Sequence, residues 1–331
     1  MSLNPKQKLN DKLFDVDVEQ APIRNGFGDG LLAAGEADPQ VVALCADLTE
    51  SARAEKFVKA FPERFVQIGV AEQNLASVAS GMAAMGKKPF ITSYAMFSPG
   101  RNWEQIRTTI CYNDRPVIIA GSHAGVSVGP DGGTHQAVED LAITRVVPNL
   151  TVIAPCDALE AKRATIEAAK LGKPVYLRLA REKTPIITTD ASPFKISKAN
   201  LLWQGEAPQV TIIACGGVVH NALVAAKELG EKGIGAEVLN LHTIKPIDTK
   251  AIVDSVKKTG AVVTVEEHQV AGGMGSAVAE VLAGKLPAPI EFIGVHDQFG
   301  QSGTPAELIE HYRIGVSHIV AAAKKAIKRK K

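Results

Sequence analysis

Short apolar runs alternate with amphipathic segments along most of this chain, and that alternation limits the fold more than any other feature. Residues 41–45, 116–120 and 175–179 are mainly apolar, whereas residues 72–85 and 157–170 have the length and composition of helices. Parallel strands that are buried on both faces have this composition, because helices cover each side of their sheet. The pattern therefore predicts an α/β fold with parallel sheets enclosed by helices.

The alternation is interrupted once, at residues 183–207, where threonine- and proline-containing stretches are typical of a connection. A chain of 331 residues is long enough for two domains with large cores. We predict two doubly wound domains, a larger one with a parallel sheet and a smaller, mostly parallel one. The predicted organisation is a loosely ordered arm over 1–20, the larger domain over 21–185, a linker over 186–207 and the smaller domain over 208–331.

Charge and cysteine content exclude several classes of protein. The net charge is +2, but the last eight residues, KKAIKRKK, hold six positive charges, so the remainder is near −4 (2 − 6) and offers no basic field for nucleic acid. The four cysteines are far apart and form no C-x-x-C pair, which argues against a structural zinc site. No run approaches a membrane span, and the polar N-terminus is not a signal peptide. We expect a cytoplasmic protein without membrane or nucleic-acid partners.

A glycine-rich segment at residues 121–136, GSHAGVSVGPDGGTHQ, directly follows the apolar run 116–120. Polar groups just past the carboxyl end of a strand lie where open α/β sheets bind ligands. His123, Asp131 and His135 stand here with the spacing H-x7-D-x3-H. By composition alone, a plain turn with two surface histidines explains the segment about as well as a ligand site.

Other polar and aromatic residues occupy comparable positions, and each has an ordinary structural explanation. Glu72 begins a predicted helix, where the backbone dipole favours an acid whatever its function. Tyr94 and Phe97 follow a predicted strand, and a pair three residues apart is commonly part of a core. The remaining candidates could be surface arginines or helix caps: Arg24, Asp47, Ser51 and Arg181.

Together, these residues resemble the transketolase pattern. The matching features are H-x7-D-x3-H-Q after an apolar strand, G-V-x-E opening a helix rich in small residues, and the order of Arg24, Asp47 and Ser51. The resemblance covers about residues 20–325. It corresponds to the pyrimidine-binding and C-terminal domains, without the first third of a full-length enzyme, which carries the metal and diphosphate motif. The chain thus resembles one subunit of a split transketolase.

The resemblance implies a role for each candidate residue. Glu72 would hold N1′ of the aminopyrimidine of thiamine diphosphate, and His135 would hydrogen-bond or shuttle protons at the carbonyl end of the donor; these two are the predicted catalytic residues. Tyr94 and Phe97 would form an aromatic wall against the pyrimidine, with Asp47 in the cofactor's surroundings. The residues expected at the sugar phosphate are Arg24, Ser51, His123 and Arg181, and Asp131 is expected to bind a substrate hydroxyl.

One position departs from the family pattern. Many transketolases have a third aromatic residue three positions after the second, and this chain has Gly100 there. Two alternatives follow: either the ring wall is incomplete, or Trp103 compensates for the missing ring.

The implied reaction moves a two-carbon ketol unit from a ketose phosphate to an aldose phosphate, as in the pentose phosphate pathway of carbohydrate metabolism. The implied cofactors are thiamine diphosphate and Mg²⁺ or Ca²⁺, with the metal ligands coming from a partner and none from this chain. The expected partners are an N-terminal transketolase section and phosphorylated sugars, in a homodimer or heterotetramer.

Two short motifs imitate ligand sites. Gly28-Asp29-Gly30 copies the start of the thiamine-diphosphate metal motif but lacks the preceding strand and the later asparagine, and Gly272-Gly273-Met274-Gly275 is better explained by close helix–sheet packing. His242, His268 and His296 show no metal-ligand spacing and are predicted to be structural.

Three other functions remain open from the sequence. The β subunit of a 2-oxo-acid dehydrogenase has the same length and layout, but its substrate would not need four phosphate-binding residues. A 1-deoxyxylulose-5-phosphate synthase fragment is disfavoured by His123. A non-catalytic scaffold subunit is disfavoured because Glu72 is retained beside the whole substrate set.

Overall fold

The alternating segments fold into two sheets covered by helices, and the predicted α/β class is confirmed. The computed structural model describes residues 2–330; Met1 and Lys331, the outermost residues of the predicted arm and smaller domain, lie outside the described residues. Within the described part, one sheet has seven strands, another has six, and a third consists of two short strands.

The elements are numbered here in chain order. The strands are β1 Ser2–Leu3, β2 Gln20–Pro22, β3 Val41–Cys45, β4 Phe65–Gln67, β5 Lys88–Tyr94, β6 Ile118–Ser122, β7 Thr151–Ile153, β8 Val175–Arg178, β9 Lys183–Pro185, β10 Asn200–Gln204, β11 Val210–Ala214, β12 Ala236–Asn240, β13 Thr243–Lys245, β14 Val262–Gln269 and β15 Ile290–Val295. The helices are α1 Ile23–Ala37, α2 Glu55–Ala60, α3 Glu72–Ala84, α4 Trp103–Gln105, α5 Asp140–Arg145, α6 Ala158–Leu171, α7 Val219–Glu231, α8 Thr249–Thr259, α9 Met274–Lys285, α10 Pro305–His311 and α11 Val316–Lys328. Short 3-10 turns lie at Pro5–Gln7, Pro62–Arg64, Val126–Asp131 and Gly216–Val218, and a π-helical turn spans Ile106–Cys111.

The seven-stranded sheet has the order β13-β7-β8-β6-β5-β3-β4, and all its pairs are parallel except β13–β7. Side chains alternate between its two faces, as in any strand. In β3, Val41 and Ala43 belong to the core under α1 and α6, whereas Val42 and Leu44 belong to the core under α3. Both faces are thus buried, which explains why these strands are continuous apolar runs.

Glycines allow α1 to pack closely against α6 and against the segment that precedes α2. A Cβ atom on Gly30 would lie 2.6 Å from Cβ of Thr165, and one on Gly28 would lie 2.5 Å from the carbonyl oxygen of Arg53. Asp29, between these glycines, forms an ion pair with Lys56. The Gly28-Asp29-Gly30 motif is therefore a helix-packing feature.

The six-stranded sheet has the order β1-β10-β12-β11-β14-β15; the pairs β1–β10 and β10–β12 are antiparallel, and the other three pairs are parallel. Its helices include α7 and α11, which share one core with β11 and β14. This architecture agrees with the expected smaller, mostly parallel domain.

The N-terminal arm and the linker are more ordered than the sequence suggested. β1, from the arm, pairs with β10, from the predicted linker, so that Leu3 lies opposite Trp203. Leu13 is fully buried in the core of the six-stranded sheet. These apolar residues are spaced irregularly among polar ones, so no periodicity revealed their burial. The predicted domain boundaries stay predictions.

The sequence pattern also predicts helices over residues 51–60, 102–112 and 136–144, and the structure differs from each of these bounds. The helix expected over 51–60 begins at Glu55, and the helix expected over 136–144 begins at Asp140. The helix expected over 102–112 divides into α4 and the π-helical turn. Within residues 2–330, no helix combines the length and apolarity needed to cross a membrane.

Candidate functional site

The candidate site lies where the carboxyl ends of parallel strands meet. Tyr94, the last residue of β5, is paired in register with Ser122, the last residue of β6. β3 flanks β5 on one side, and β8 flanks β6 on the other. Ligands of open α/β sheets bind just beyond such strand ends, so the loops after these four strands are where a site is expected.

Four of the candidate side chains form one cluster of rings. The Tyr94 ring stacks on the His123 ring with centroids 3.7 Å apart, and on the Phe97 ring with centroids 6.0 Å apart. His135 meets the Phe97 ring edge-on at 5.6 Å. The structure thus brings four separate candidates together: Tyr94, Phe97, His123 and His135. Such closeness is required if all four belong to one site.

Hydrogen bonds define the tautomer of His123, which is buried and has a φ of 58°. An NH1 group of Arg24 lies 3.2 Å from its Nε2, and a guanidinium can only donate, so Nε2 is the acceptor. The proton of the neutral ring is then on Nδ1, which donates to Oγ of Ser122 at 2.8 Å.

The electrostatic surroundings keep His123 neutral. Burial, together with the positive charges of Arg24, Arg181 and Arg53, lowers the pKa of its imidazole to about 3. At neutral pH the ring is therefore a hydrogen-bonding group and carries no charge.

Arg24, at the start of α1, links this histidine to the loop that follows β3. Its NH1 donates to the backbone carbonyl of Ser51 at 2.7 Å as well as approaching His123. Its Nε is buried and has no hydrogen-bond partner. Burial lowers the pKa of Arg24, and the charges of Arg53 and Arg181 add to this effect.

Arg181, just beyond β8, is held by the glycine-rich segment. Its NH1 donates to the carbonyl of Val128 at 2.7 Å and lies 3.5 Å from the carboxylate of Asp131. Its Nε is 3.6 Å from the carboxylate of Glu182. Two acids therefore balance this guanidinium.

Glu72 is the first residue of α3, and its side chain is only 2% exposed. NH1 of Arg101 donates to its Oε2 at 3.0 Å, and Nδ2 of Asn102 donates to its backbone carbonyl at 3.0 Å. The guanidinium carbon of Arg101 also lies 5.0 Å from the centre of the Phe97 ring. One arginine thus connects the candidate carboxylate to the candidate ring wall.

Asp47 is placed differently from the other candidates. It follows β3 with a φ of 58°, and its backbone N–H donates to Oε1 of Gln67 at 2.8 Å. The side chain is exposed, and within residues 2–330 no hydrogen bond or ion pair engages its carboxylate. The structure therefore does not bring Asp47 into contact with the ring cluster.

The loop conformation excludes a third aromatic residue at Gly100. A Cβ atom there would lie 1.9 Å from the carbonyl oxygen of Met96. The expectation that Trp103 compensates is wrong, because its Nε1 donates to the carbonyl of Ile143 at 2.6 Å and its ring packs against the core. The group that lies over Phe97 is instead the guanidinium of Arg101.

Sequence reasoning missed several residues of the site. Arg101 follows Gly100, the position that departs from the family pattern, and Arg53 is two positions after Ser51. For both arginines, nearness in the sequence to a residue already singled out was the only signal. The missed residues that contact predicted ones are Gln67, Arg101, Asn102 and Ser122, whereas Arg53 contacts Asn25 and places its charge near Arg24 and His123.

In the segment Gly272-Gly273-Met274-Gly275, backbone N–H groups bind a carboxylate of the chain itself, that of Glu266. Glu266 accepts hydrogen bonds from the backbone N–H groups of Met274 at 2.7 Å and Gly275 at 2.8 Å. A Cβ atom on Gly275 would lie 2.6 Å from Oγ1 of Thr264. Close helix–sheet packing explains the motif, as predicted.

The remaining histidines fall into two groups. His268 is buried and accepts from the backbone N–H groups of Leu141 and Ala142, and His242 is buried beside Oγ1 of Thr243. These contacts agree with structural roles. His296 is exposed, so the structure gives it no such role.

Two family models match the chain, and together they span nearly all of it. The transketolase pyrimidine-binding domain matches residues 19–186, and the transketolase C-terminal domain matches residues 198–319. This chain belongs to the transketolase family. The resemblance inferred from the sequence is confirmed, and the two rival enzyme families are not better supported.

Several transketolase-family proteins have the same extent as this chain. It is 40% identical over 317 residues to the 6-deoxy-6-sulfo-D-fructose transketolase subunit SqwH of Clostridium sp. (strain MSTE9), covering 96% of this chain and 98% of that protein. It is 44% identical over 293 residues to a putative transketolase C-terminal section of Methanocaldococcus jannaschii, covering 88% and 91%. A solved structure described as a split gene transketolase, inactive beta4 tetramer, is 44% identical with a TM-score of 0.87, covering 94% and 99%.

Proposed function

We propose that this chain is the C-terminal subunit of a thiamine-diphosphate-dependent transketolase and is active only with an N-terminal partner subunit. The enzyme transfers a two-carbon ketol unit from a ketose phosphate to an aldose phosphate. The observation that carries the proposal is the buried carboxylate of Glu72 at a helix start, joined through Arg101 to the ring of Phe97.

The pyrimidine end of the cofactor fits the space that the Arg101 guanidinium takes. That guanidinium is planar, carries N–H donors, and lies against both the Glu72 carboxylate and the Phe97 ring. An aminopyrimidine is likewise flat and offers nitrogen groups along its edge. Arg101 is 52% exposed, and exposed side chains change rotamer rapidly, so it can leave this position.

When bound, thiamine diphosphate supplies the carbanion chemistry of ketol transfer, while the protein supplies binding, orientation and electrostatics. In this chain Glu72 would hold the pyrimidine at its ring nitrogen N1′, and Phe97 with Tyr94 would pack against the face of that ring. Asp47 lies in the cofactor's surroundings. His135, beside Phe97, exchanges protons with an oxygen at the reacting end of the donor.

The opposite end of the site suits an anionic sugar. Arg24 and Arg181 bind the phosphate, because guanidinium groups stay charged and offer paired donors to its oxygens. His123, neutral in this environment, adds a hydrogen bond without adding charge, and Ser51 lies beside Arg24. Asp131 binds a substrate hydroxyl next to Arg181.

The metal ligands and the rest of the cofactor site come from the partner. In the part of the chain that the structure describes, no group of three or more His, Cys, Asp or Glu side chains is arranged to hold a metal ion. The family members of equal extent are named a subunit, a C-terminal section and a split-gene product, which supports a two-chain enzyme. The partner supplies the ligands for Mg²⁺ or Ca²⁺, and the assembly is a homodimer or heterotetramer in the cytoplasm.

Reconstitution tests the dependence on a partner. The chain mixed with an N-terminal transketolase section, thiamine diphosphate and Mg²⁺ should catalyse ketol transfer. Isothermal titration of the chain alone should show weak cofactor binding, because only the pyrimidine end has its contacts here. Tight metal-dependent binding and turnover by the chain alone would refute the two-chain proposal.

Exchanging Glu72 for glutamine tests the catalytic carboxylate. In the reconstituted complex, Glu72→Gln should lower kcat at least about a hundredfold, the usual range for loss of a positioned acid–base group. The thermal midpoint should stay near that of the wild type. Glu104→Gln, which changes an exposed acid nearby, should leave kcat unaltered. An active Glu72→Gln complex would remove this residue from the mechanism.

A further inference from the structure

Arg53 lies beside the predicted phosphate-binding residues, although the sequence pattern assigned it no role. Its Nε donates to Oδ1 of Asn25 at 2.9 Å, which brings its guanidinium to the first turn of α1. Arg24, the neighbour of Asn25, donates in turn to the backbone carbonyl of Ser51, which lies in the same loop as Arg53. The two arginines therefore connect the same two segments, the start of α1 and the loop after β3.

The positive charges of Arg24, Arg53 and Arg181 are not all balanced by carboxylates. Arg181 has two carboxylates within ion-pair distance, Asp131 and Glu182. Over residues 2–330, neither Arg24 nor Arg53 forms an ion pair with a carboxylate. The buried Nε of Arg24 also lacks a hydrogen-bond partner. A buried donor without a partner, on one of two unpaired cations, is a costly arrangement unless an anion binds there.

We propose that Arg53 determines specificity: together with Arg24 it selects a sugar whose terminal group is a dianion over one whose terminal group is a monoanion. Two unpaired guanidinium groups match the charge of a phosphate monoester, which is close to −2 above its second pKa of about 6. A sulfonate has similar geometry but carries only one negative charge. This inference rests on the proposed function, in which Arg24 belongs to the phosphate site.

Anion binding by the complete chain tests the inference without a partner. Inorganic phosphate, a dianion at pH 8, and methanesulfonate are titrated separately at constant ionic strength, with affinity measured by NMR. Loss of one charge-assisted contact should weaken phosphate binding by roughly ten- to a hundredfold in Arg53→Gln. Methanesulfonate binding should change by less than about threefold, because Arg24 alone balances its single charge.

Two further variants separate charge from folding. Arg53→Lys retains the positive charge and should recover most of the phosphate affinity. Arg107→Gln, which removes an exposed arginine with no side-chain hydrogen bond in the described chain, should bind both anions like the wild type. Phosphate affinity that is unchanged in Arg53→Gln, or equal losses for both anions, would overturn the inference.

Turnover by the reconstituted complex extends the test to whole donors. The probes are fructose 6-phosphate, 6-deoxy-6-sulfofructose and hydroxypyruvate, which differ in their terminal charge. Arg53→Gln should lower kcat/KM for the phosphate about ten- to a hundredfold and for the other two less than about threefold. Equal losses on all three donors would overturn the inference. A wild-type complex without any turnover would instead refute the proposed function, while the phosphate titration would still test Arg53.

Discussion

At the scale of single residues, His123 shows how neighbours determine the role of a titratable group. An isolated histidine beside a sugar phosphate could act as a cation or as a neutral donor. Here burial and three nearby arginines leave only the neutral form, and the donation from Arg24 places the proton on Nδ1. The sequence identified the residue, but its protonation follows from contacts across 99 positions of chain.

The lowered pKa of His123 makes folding stability depend on pH. The folded pKa of about 3 lies below the ordinary value of 6.5, so the contribution is complete above pH 6.5 and is lost as the pH falls towards 3. Between these values the unfolded chain binds the additional proton. Between neutral pH and pH 4.5, the free energy of unfolding should fall by about 1–3 kcal/mol less in His123→Asn than in the wild type.

The measurement is the free energy of unfolding in urea at several pH values. Asparagine is a suitable replacement because it tolerates the positive φ of this position. The exposed His296→Asn variant should keep the pH dependence of the wild type. Identical slopes for His123→Asn and the wild type would contradict the assigned pKa.

At the scale of elements, glycines in α1 serve packing where their spacing imitates a metal motif. Gly30 faces Thr165 of α6 at a distance that leaves no room for a methyl group. Gly81 of α3 is the contrasting case, since it is exposed and a Cβ atom there would meet nothing within 4 Å. The same residue type thus has opposite consequences in two helices.

Alanine at these two glycines should change stability in opposite directions. Gly30→Ala should destabilise the protein by about 1–3 kcal/mol, the usual cost of overpacking. Gly81→Ala should stabilise it by up to about 1 kcal/mol, because alanine is the better helix former. Urea denaturation of both variants gives the comparison, and a neutral Gly30→Ala would show that α1 and α6 can move apart.

At the scale of the whole molecule, each of the two large sheets contains a strand from the other half of the chain. β13 lies between elements of the six-stranded sheet in the sequence, yet Thr243 pairs with Ile153 in the seven-stranded sheet. The N-terminal arm joins the sheet formed by the second half of the chain. The two halves are therefore tied together by main-chain hydrogen bonds as well as by side-chain contacts.

Shortening one side chain of the N-terminal arm tests whether the arm contributes to the core of the six-stranded sheet. Leu13→Ala should destabilise the protein by about 2–5 kcal/mol, as for other buried leucines, because Leu13 is fully buried among residues of the six-stranded sheet. Val16→Ala, three positions later on a fully exposed side chain, should have almost no effect. Equal thermal midpoints for the two variants would mean that the arm does not contribute to the core.

The sequence alone determined the fold class and most of the candidate residues, because both depend on local patterns. Apolar runs such as 116–120 identify buried strands, and polar residues just beyond them, such as His123, fall at the ligand-binding edge of a parallel sheet. Spacing within one loop is likewise visible in the sequence.

The tertiary structure alone decided which groups touch. Arg101 reaches Glu72 across 29 positions, and Arg53 reaches Asn25 across 28. Gly100 cannot carry a ring because of a backbone oxygen four residues away, and Trp103 is turned towards the core. No periodicity records such contacts, since they depend on how loops from different strands meet. The ionic partners, the protonation of His123 and the order of the N-terminal arm therefore became known only from the folded chain.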